Sequence, residues 1–266
     1  MKKARLFSGL IVTLVVLVLG VPLPARAVFM DKIDGYELFS EADLNMNTPS
    51  TIKGNVYSGG NLNFNGNVTG NVLVHGTFNG NGGSITGNLD ALNAINGGVP
   101  VSGTKTPNDP TVPLITLDTN SDLLLVLAGF GSITTFSGNH TFTGAEPAGI
   151  YHVMGDVMFN SGVVGKWTIV GDNNININGN PTLQITSFIP AGGLFPDGLA
   201  IYDKTGNING LGGTVVGAVA AGQITLQGVN LSAAAPAAVP EPGTLILLGS
   251  GLIGLAGYGR KRFFKK

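Results

Sequence analysis

The 266-residue sequence contains no cysteine. Disulfides, thiol nucleophiles and thiolate zinc sites are therefore excluded. Charge is scarce too: Asp, Glu, Lys and Arg make up 11% of the chain, against about 25% in an average soluble domain. Arginine is missing altogether from residues 28–240, where five lysines stand against fourteen acids for a net of −9. An acidic body without arginine has no basic patch to meet phosphates, so no nucleic acid is expected as a partner. It is also a poor grip for acidic sugars.

Recognisable catalytic patterns are lacking as well. There is no HExxH pair and no GxSxG elbow, and His75, His140 and His152 stand at unrelated spacings. Asp156, Asp172, Asp197 and Asp203, with Glu146, are the acids of the body's second half, and none lies close to another in sequence. Asp172-Asn173-Asn174-Ile175-Asn176 starts like a calcium loop, but Ile177 and Leu183 occupy the positions where an EF-hand needs Gly and Glu. Gly249-Ser250-Gly251-Leu252-Ile253-Gly254 fits the dinucleotide pattern without the strand that should precede it. No metal and no cofactor is expected.

What is present begins with the two ends. Lys2, Lys3 and Arg5 precede an apolar stretch from Leu10 to Leu19, and Ala25-Arg26-Ala27 then offers a small-x-small site before Val28. This reads as a signal peptide over 1–27, cut between Ala27 and Val28, that hands the chain to the Sec translocon. At the other end, Pro240-Glu241-Pro242 is followed by an uncharged apolar segment over 244–258 and by Arg260-Lys261-Arg262. Fifteen helical residues reach only ~23 Å, and the aromatic and basic flanks extend that reach by snorkelling. The basic tail is expected to stay cytoplasmic, leaving the body outside. Pro-Glu-Pro, apolar helix and basic cluster together, over 239–266, resemble the PEP-CTERM sorting signal. That resemblance implies an exported protein of Gram-negative bacteria, anchored in the inner membrane as a precursor. It also implies recognition by an exosortase-type membrane protease, then display at the cell surface or in an exopolysaccharide matrix.

The body between the ends, 28–232, repeats. Ile52-Lys53-Gly54-Asn55-Val56, Val68-Thr69-Gly70-Asn71-Val72 and Ile85-Thr86-Gly87-Asn88-Leu89 recur at offsets of 16 and 17 residues. Three apolar columns follow: Ile52, Val68, Ile85; Val56, Val72, Leu89; and Leu62, Phe78, Ile95. Strands this short cannot bury a face alone, whereas stacked coils merge such columns into one core. Gly and Asn suit the tight corners, and stacked asparagines can form side-chain ladders. The expected fold is all-β: a parallel β-helix, right-handed by resemblance to bacterial surface proteins of that kind. The repeats are clearest over 52–98. Prolines at 100, 107, 110 and 113 mark 99–113 as a loop. Residues 114–130 are ambiguous, with Leu123 to Ala128 open between strand and helix. Strand patterns return at 149–153, 156–159, 167–170, 174–177, 185–189, 199–202 and 223–226, as a looser extension of the same solenoid. Residues 233–238 form an Ala/Pro linker.

The functional expectation is a non-catalytic surface or matrix protein. Two alternatives stay open. One is a carbohydrate-active β-helix enzyme, a polysaccharide lyase or hydrolase built on acids that stacking brings together. The other is an adhesin binding carbohydrate or an ordered surface. For the latter, Tyr57, Tyr151, Trp167 and Tyr202 are candidate sugar-stacking faces, and Thr69 and Thr86 align beside Lys53 in one column.

Overall fold

A computed structural model describes residues 35–177, 182–191, 195 and 197–234. Along the chain, β1 (Tyr36–Ser40), β2 (Leu44–Thr48) and β3 (Ser50–Lys53) make a three-sided coil, followed by β4 (Asn55–Ser58) and β5 (Leu62–Val68). Then come β6 (Val72–Val74) and β7 (Phe78–Ile85), β8 (Leu89–Ala91) and β9 (Ile95–Asn96), and the short β10 (Lys105–Thr106). A helix, α1 (Asn120–Leu127), separates these from β11 (Ile133–Phe136), β12 (His140–Phe142), β13 (Gly149–Val153) and β14 (Val157–Phe159). The series closes with β15 (Val164–Gly171), β16 (Ile175–Asn176), β17 (Gln184–Thr186), β18 (Leu199–Val216) and β19 (Ala218–Ser232). Each of the last two is a full coil bent at glycines: Gly210, Gly213, Gly217 and Gly228 hold φ between +68° and +120°, where a Cβ would be strained.

The fold is a parallel β-solenoid, and the three expected columns are in register. Ile52, Val68 and Ile85 pair in series, as do Val56, Val72 and Leu89 and Leu62, Phe78 and Ile95. All but Ile95 are buried. The Gly–Asn corner stacks as well. Asn55 Oδ1 accepts from Asn71 N (2.8 Å), Asn71 Oδ1 from Asn88 N (2.9 Å) and Asn88 Oδ1 from Thr104 N (3.0 Å). Each side chain thereby satisfies a corner N–H that no strand partner reaches.

The order of the coils differs from the order of the chain. The second half does not continue from β10. Its last coil, β19, lies beneath the first, pairing with β1, β2 and β3. Below β19 come β18, then β15–β17, β13–β14 and β11–β12. The chain starts mid-stack, winds to one end, returns to the other end and winds back to the start. Three apolar columns cross the join: Ile201–Val219–Leu38–Val56, Ile208–Ile224–Leu44–Leu62 and Val215–Leu231–Ile52–Val68. An apolar coil surface is interchangeable with another of the same width, so the join buries what either half alone would expose.

The stretch 99–113 also departs from the sequence reading. It carries one more partial coil: Val101 bridges to Ile85 and β10 pairs with β8. Pro100 offers only its carbonyl, to Ile85 N (2.9 Å), and the other prolines follow β10. They therefore block no ladder bond.

The return crosses the outer side of the face built by β1, β4, β13, β15 and β18. There Phe39, Tyr57, Val170, Tyr202 and Ala220 form a second core with Leu117, Leu123, Val126 and Leu127. The ambiguous stretch is helix because Thr119 caps it, accepting from Asp122 N (3.2 Å), and because Leu123, Val126 and Leu127 fall on one helical side. Side chains of the solenoid pin this strap. Tyr57 Oη donates to Pro113 O (3.0 Å) and accepts from Ile115 N (2.8 Å), and Tyr202 Oη donates to Asp118 O (2.7 Å). His75 Nδ1 lies 3.0 Å from Val112 O. Tyr57→Phe removes two of these bonds. Its expected effect is an about tenfold or greater loss of hydrogen-exchange protection at Ile115, with Val56 in the core unaffected. Equal protection in the variant would show that the hydroxyl does not hold the strap.

Candidate functional site

Stacking brings charged groups together that the sequence keeps far apart. They gather where the strap meets β13, β15 and β18. His152 Nε2 lies 2.7 Å from Asp172 Oδ2. Asn120, at the start of α1, donates through Nδ2 to Asp172 Oδ1 (2.7 Å) and to Gly171 O (2.6 Å), and its Oδ1 accepts from Lys204 N (3.1 Å). Lys204 Nζ pairs with the Glu41 carboxylate, and Glu41 Oε2 also accepts from Leu117 N (3.3 Å). This is a network that holds the strap. A carboxylate partner of this kind orients a histidine, but here the pair's other contacts are the Asn120 amide and the strap behind it.

A second acid, Asp203, sits beside this network but points inward, with no exposed surface. Its Oδ1 accepts from Gly206 N (2.7 Å), while among the described residues Oδ2 has no partner. Burial, and then the charge of Asp172, push its carboxyl up to about 7 against the N–H donors of Gly206 and Thr205. The raised value favours the neutral acid in the fold. Between the unfolded value of 3.8 and about 7, the unfolded chain loses its proton while the folded one keeps it, so stability falls as pH rises through that window and stays low above it. The fall is on the order of 4 kcal/mol. Asp203→Asn, which stays neutral, is expected to flatten that fall in a series of denaturation midpoints from about pH 4 to about pH 8. An unchanged slope would locate the pH dependence elsewhere.

The face built by β2, β5, β7 and β9 is different: it is neutral and lined with amides. Asn63 Nδ2 donates to Asn45 Oδ1 (2.7 Å), Asn79 to Asn63 (3.2 Å) and Asn96 to Asn79 (3.0 Å). Further down, Asn209 donates to Asn176 (3.1 Å). The expected asparagine ladder is thus present, on a strand face as well as at the corner. With coils about 4.8 Å apart, it presents a regular row of amide groups to solvent.

The aromatic candidates are not platforms. Trp167 and Tyr57 have no exposed surface, and Tyr202 and Tyr151 are buried too. Trp167 Nε1 donates to Pro147 O (3.1 Å) and packs on Phe142, ring centroids 4.8 Å apart. Thr69 and Thr86 sit over the strand carbonyls of Ile52 and Val68, donating at 3.4 and 3.3 Å. His140 stacks on Phe136 at 3.6 Å and lies 3.5 Å from Glu146. Among the described residues no three His, Asp or Glu side chains come together as a metal set, and no helix is long and apolar enough to cross a membrane. Asn120, Glu41 and Lys204 carried no sequence signal: they are single polar residues 79 to 163 positions apart whose pairing depends on the strap's path.

The proposed signal-peptide site at Ala25, Ala27 and Val28, and Pro240, Glu241, Pro242, Arg260, Lys261 and Arg262, lie outside the described residues. Comparison with curated proteins finds no match, and comparison with solved structures finds none either. The PEP-CTERM protein-sorting motif does match, over residues 238–262, within the 239–266 read from the sequence but for its first residue. The chain therefore carries a PEP-CTERM sorting motif, which marks it as an exported exosortase substrate whose membrane-anchored precursor is sorted to the cell surface.

Proposed function

We propose that this protein is a non-catalytic scaffold of the cell surface or the exopolysaccharide matrix, a rigid β-solenoid displayed after sorting. One observation carries the reading. The charged groups that stacking gathers are committed to holding the fold: Asp172, His152, Glu41 and Lys204 tie down the strap, and Asp203 faces inward. A hydrolase or lyase would instead present two carboxylates, or a carboxylate and a base, to an open groove.

The amide ladder of Asn45, Asn63, Asn79 and Asn96 supports a second, related reading, an adhesin. Asn63 and Asn79 each spend one donor and one acceptor along the row and keep the others for a partner. Both readings predict that the purified protein, incubated with the host's own exopolysaccharide, leaves polymer length unchanged. Shortening of the polymer would overturn both in favour of the enzyme. Co-sedimentation that is lost when Asn63 and Asn79 are changed to Ala selects the adhesin.

A further inference from the structure

The amide row on the face of β2, β5, β7 and β9 does not stop at the first coil. Asn45 pairs with Thr225 of β19, across the join. On the next coil Ile208 pairs with Ile224, so Asn209 and Thr225, one step on, both stand outward. Asn209 in turn pairs with Asn176 of β16 and donates to its Oδ1 (3.1 Å). The row therefore runs from Asn96 through both halves of the chain, and its amides end where Asn176 pairs with Met158. The residues one step before it, Leu62, Leu44, Ile224, Ile208 and Ile175, have no exposed surface. They hold the row outward on a packed backing.

The strands of this face are also without formal charge. β2, β5, β7, β9, β16 and β19 contain no Asp, Glu, Lys or Arg. More amides flank the row, with Asn47, Asn65 and Gln227 following it and Asn207 and Gln223 preceding it. Asp43 and Asp156 lie at the preceding corner, where their Oδ1 atoms accept from Asn61 N (2.7 Å) and Asn174 N (3.3 Å). An amide offers a donor and an acceptor side by side, which matches two neighbouring hydroxyls. Coils about 4.8 Å apart repeat that pattern at nearly the advance of one pyranose in an extended β-linked chain. An acidic polymer would find no cation on these strands, and would approach a body whose net charge is −9.

We propose that this row binds an uncharged, extended β-linked polysaccharide laid along the solenoid axis, its hydroxyls hydrogen-bonded to successive amides of both halves. The proposal rests on the adhesin reading and deepens it: the ligand is neutral, and the site continues across the join to Asn209 and Asn176. Tyr57, Tyr151, Trp167 and Tyr202 are buried, so amides rather than stacked rings make the contacts. Each such hydrogen bond is weak in water. Affinity comes from engaging many coils at once and grows with polymer length.

The test is affinity electrophoresis of the full-length chain in neutral detergent, in native gels cast with hydroxyethylcellulose or with carboxymethylcellulose. The two polymers share a β-linked glucan backbone and differ in charge. Hydroxyethylcellulose is expected to retard the wild-type chain, and carboxymethylcellulose to bind it about tenfold or more less tightly. Asn176→Ala/Asn209→Ala and Asn63→Ala/Asn79→Ala are each expected to weaken binding of hydroxyethylcellulose about tenfold. Equal or tighter binding of carboxymethylcellulose, or full affinity in either variant, would overturn the proposal. Retardation by neither polymer overturns it as well. The adhesin reading then stands if the host's exopolysaccharide still co-sediments in a manner that depends on Asn63 and Asn79, and falls too if it does not. If a variant fails to fold, the wild-type comparison of the two polymers decides.

Discussion

Gly83→Ala is expected to destabilise the protein by roughly 3–5 kcal/mol, enough to unfold much of it at room temperature. Two effects add. Gly83 holds φ +92°, where a side chain is strained, and its Cβ would fall 1.7 Å from Gly66 O on the coil below. A backbone carbonyl cannot rotate away as a side chain can. The two coils would have to part, and Gly66 and Gly83 are in direct register at that point. Urea midpoints of wild type and variant give the difference. A loss under about 1 kcal/mol would mean that the third side of these coils has room between its layers.

Trp167→Ala is expected to cost about 3–5 kcal/mol through the cavity it leaves. Trp167 is the largest fully buried side chain. Its neighbour Gly165 is small for that reason: a Cβ there would lie 2.1 Å from the indole. The loss should appear first in the coils built from β11 to β16, because the ring packs on Phe142 within them. Hydrogen exchange should therefore accelerate at Tyr151 and Ile169 before Val56 and Val72. Uniform acceleration would indicate that the solenoid unfolds as one cooperative unit. The same indole is the chain's single tryptophan, so Phe substitution keeps most of the packing while removing the emission.

The parts of this fold that sequence spacing could reveal are those determined within one coil. Ile52, Val68 and Ile85 repeat because each sits at the same point of successive turns, and the Gly–Asn pairs recur because each turn meets the same corner. The strand positions of the second half were legible for the same reason. Coil order was not. Nothing in the spacing of Val219 says whether it covers Leu89 or Leu38, because any apolar coil surface fits another. The strap was ambiguous because Leu123 to Leu127 is uniformly apolar; the signal for a helix was the Thr119–Asp122 cap in front of it. The charged network under the strap was out of reach altogether. Glu41 and Lys204 are 163 residues apart, and only a chain that ends its winding where it began brings them into contact.

That join between first and last coils is also the central claim, and the absence of cysteine makes it directly testable. Thr51 and Asn230 are paired neighbours on parallel strands, β3 and β19, at a Cα spacing near the ~4.8 Å of stacked strands and within disulfide range. In Thr51→Cys/Asn230→Cys, mild oxidation is predicted to give an intramolecular disulfide as efficiently as in the adjacent-coil pair Asn67→Cys/Ser84→Cys. If the second half instead stacked onward from β10, the first pair would stay reduced while the second closed, and the mid-stack join would be contradicted.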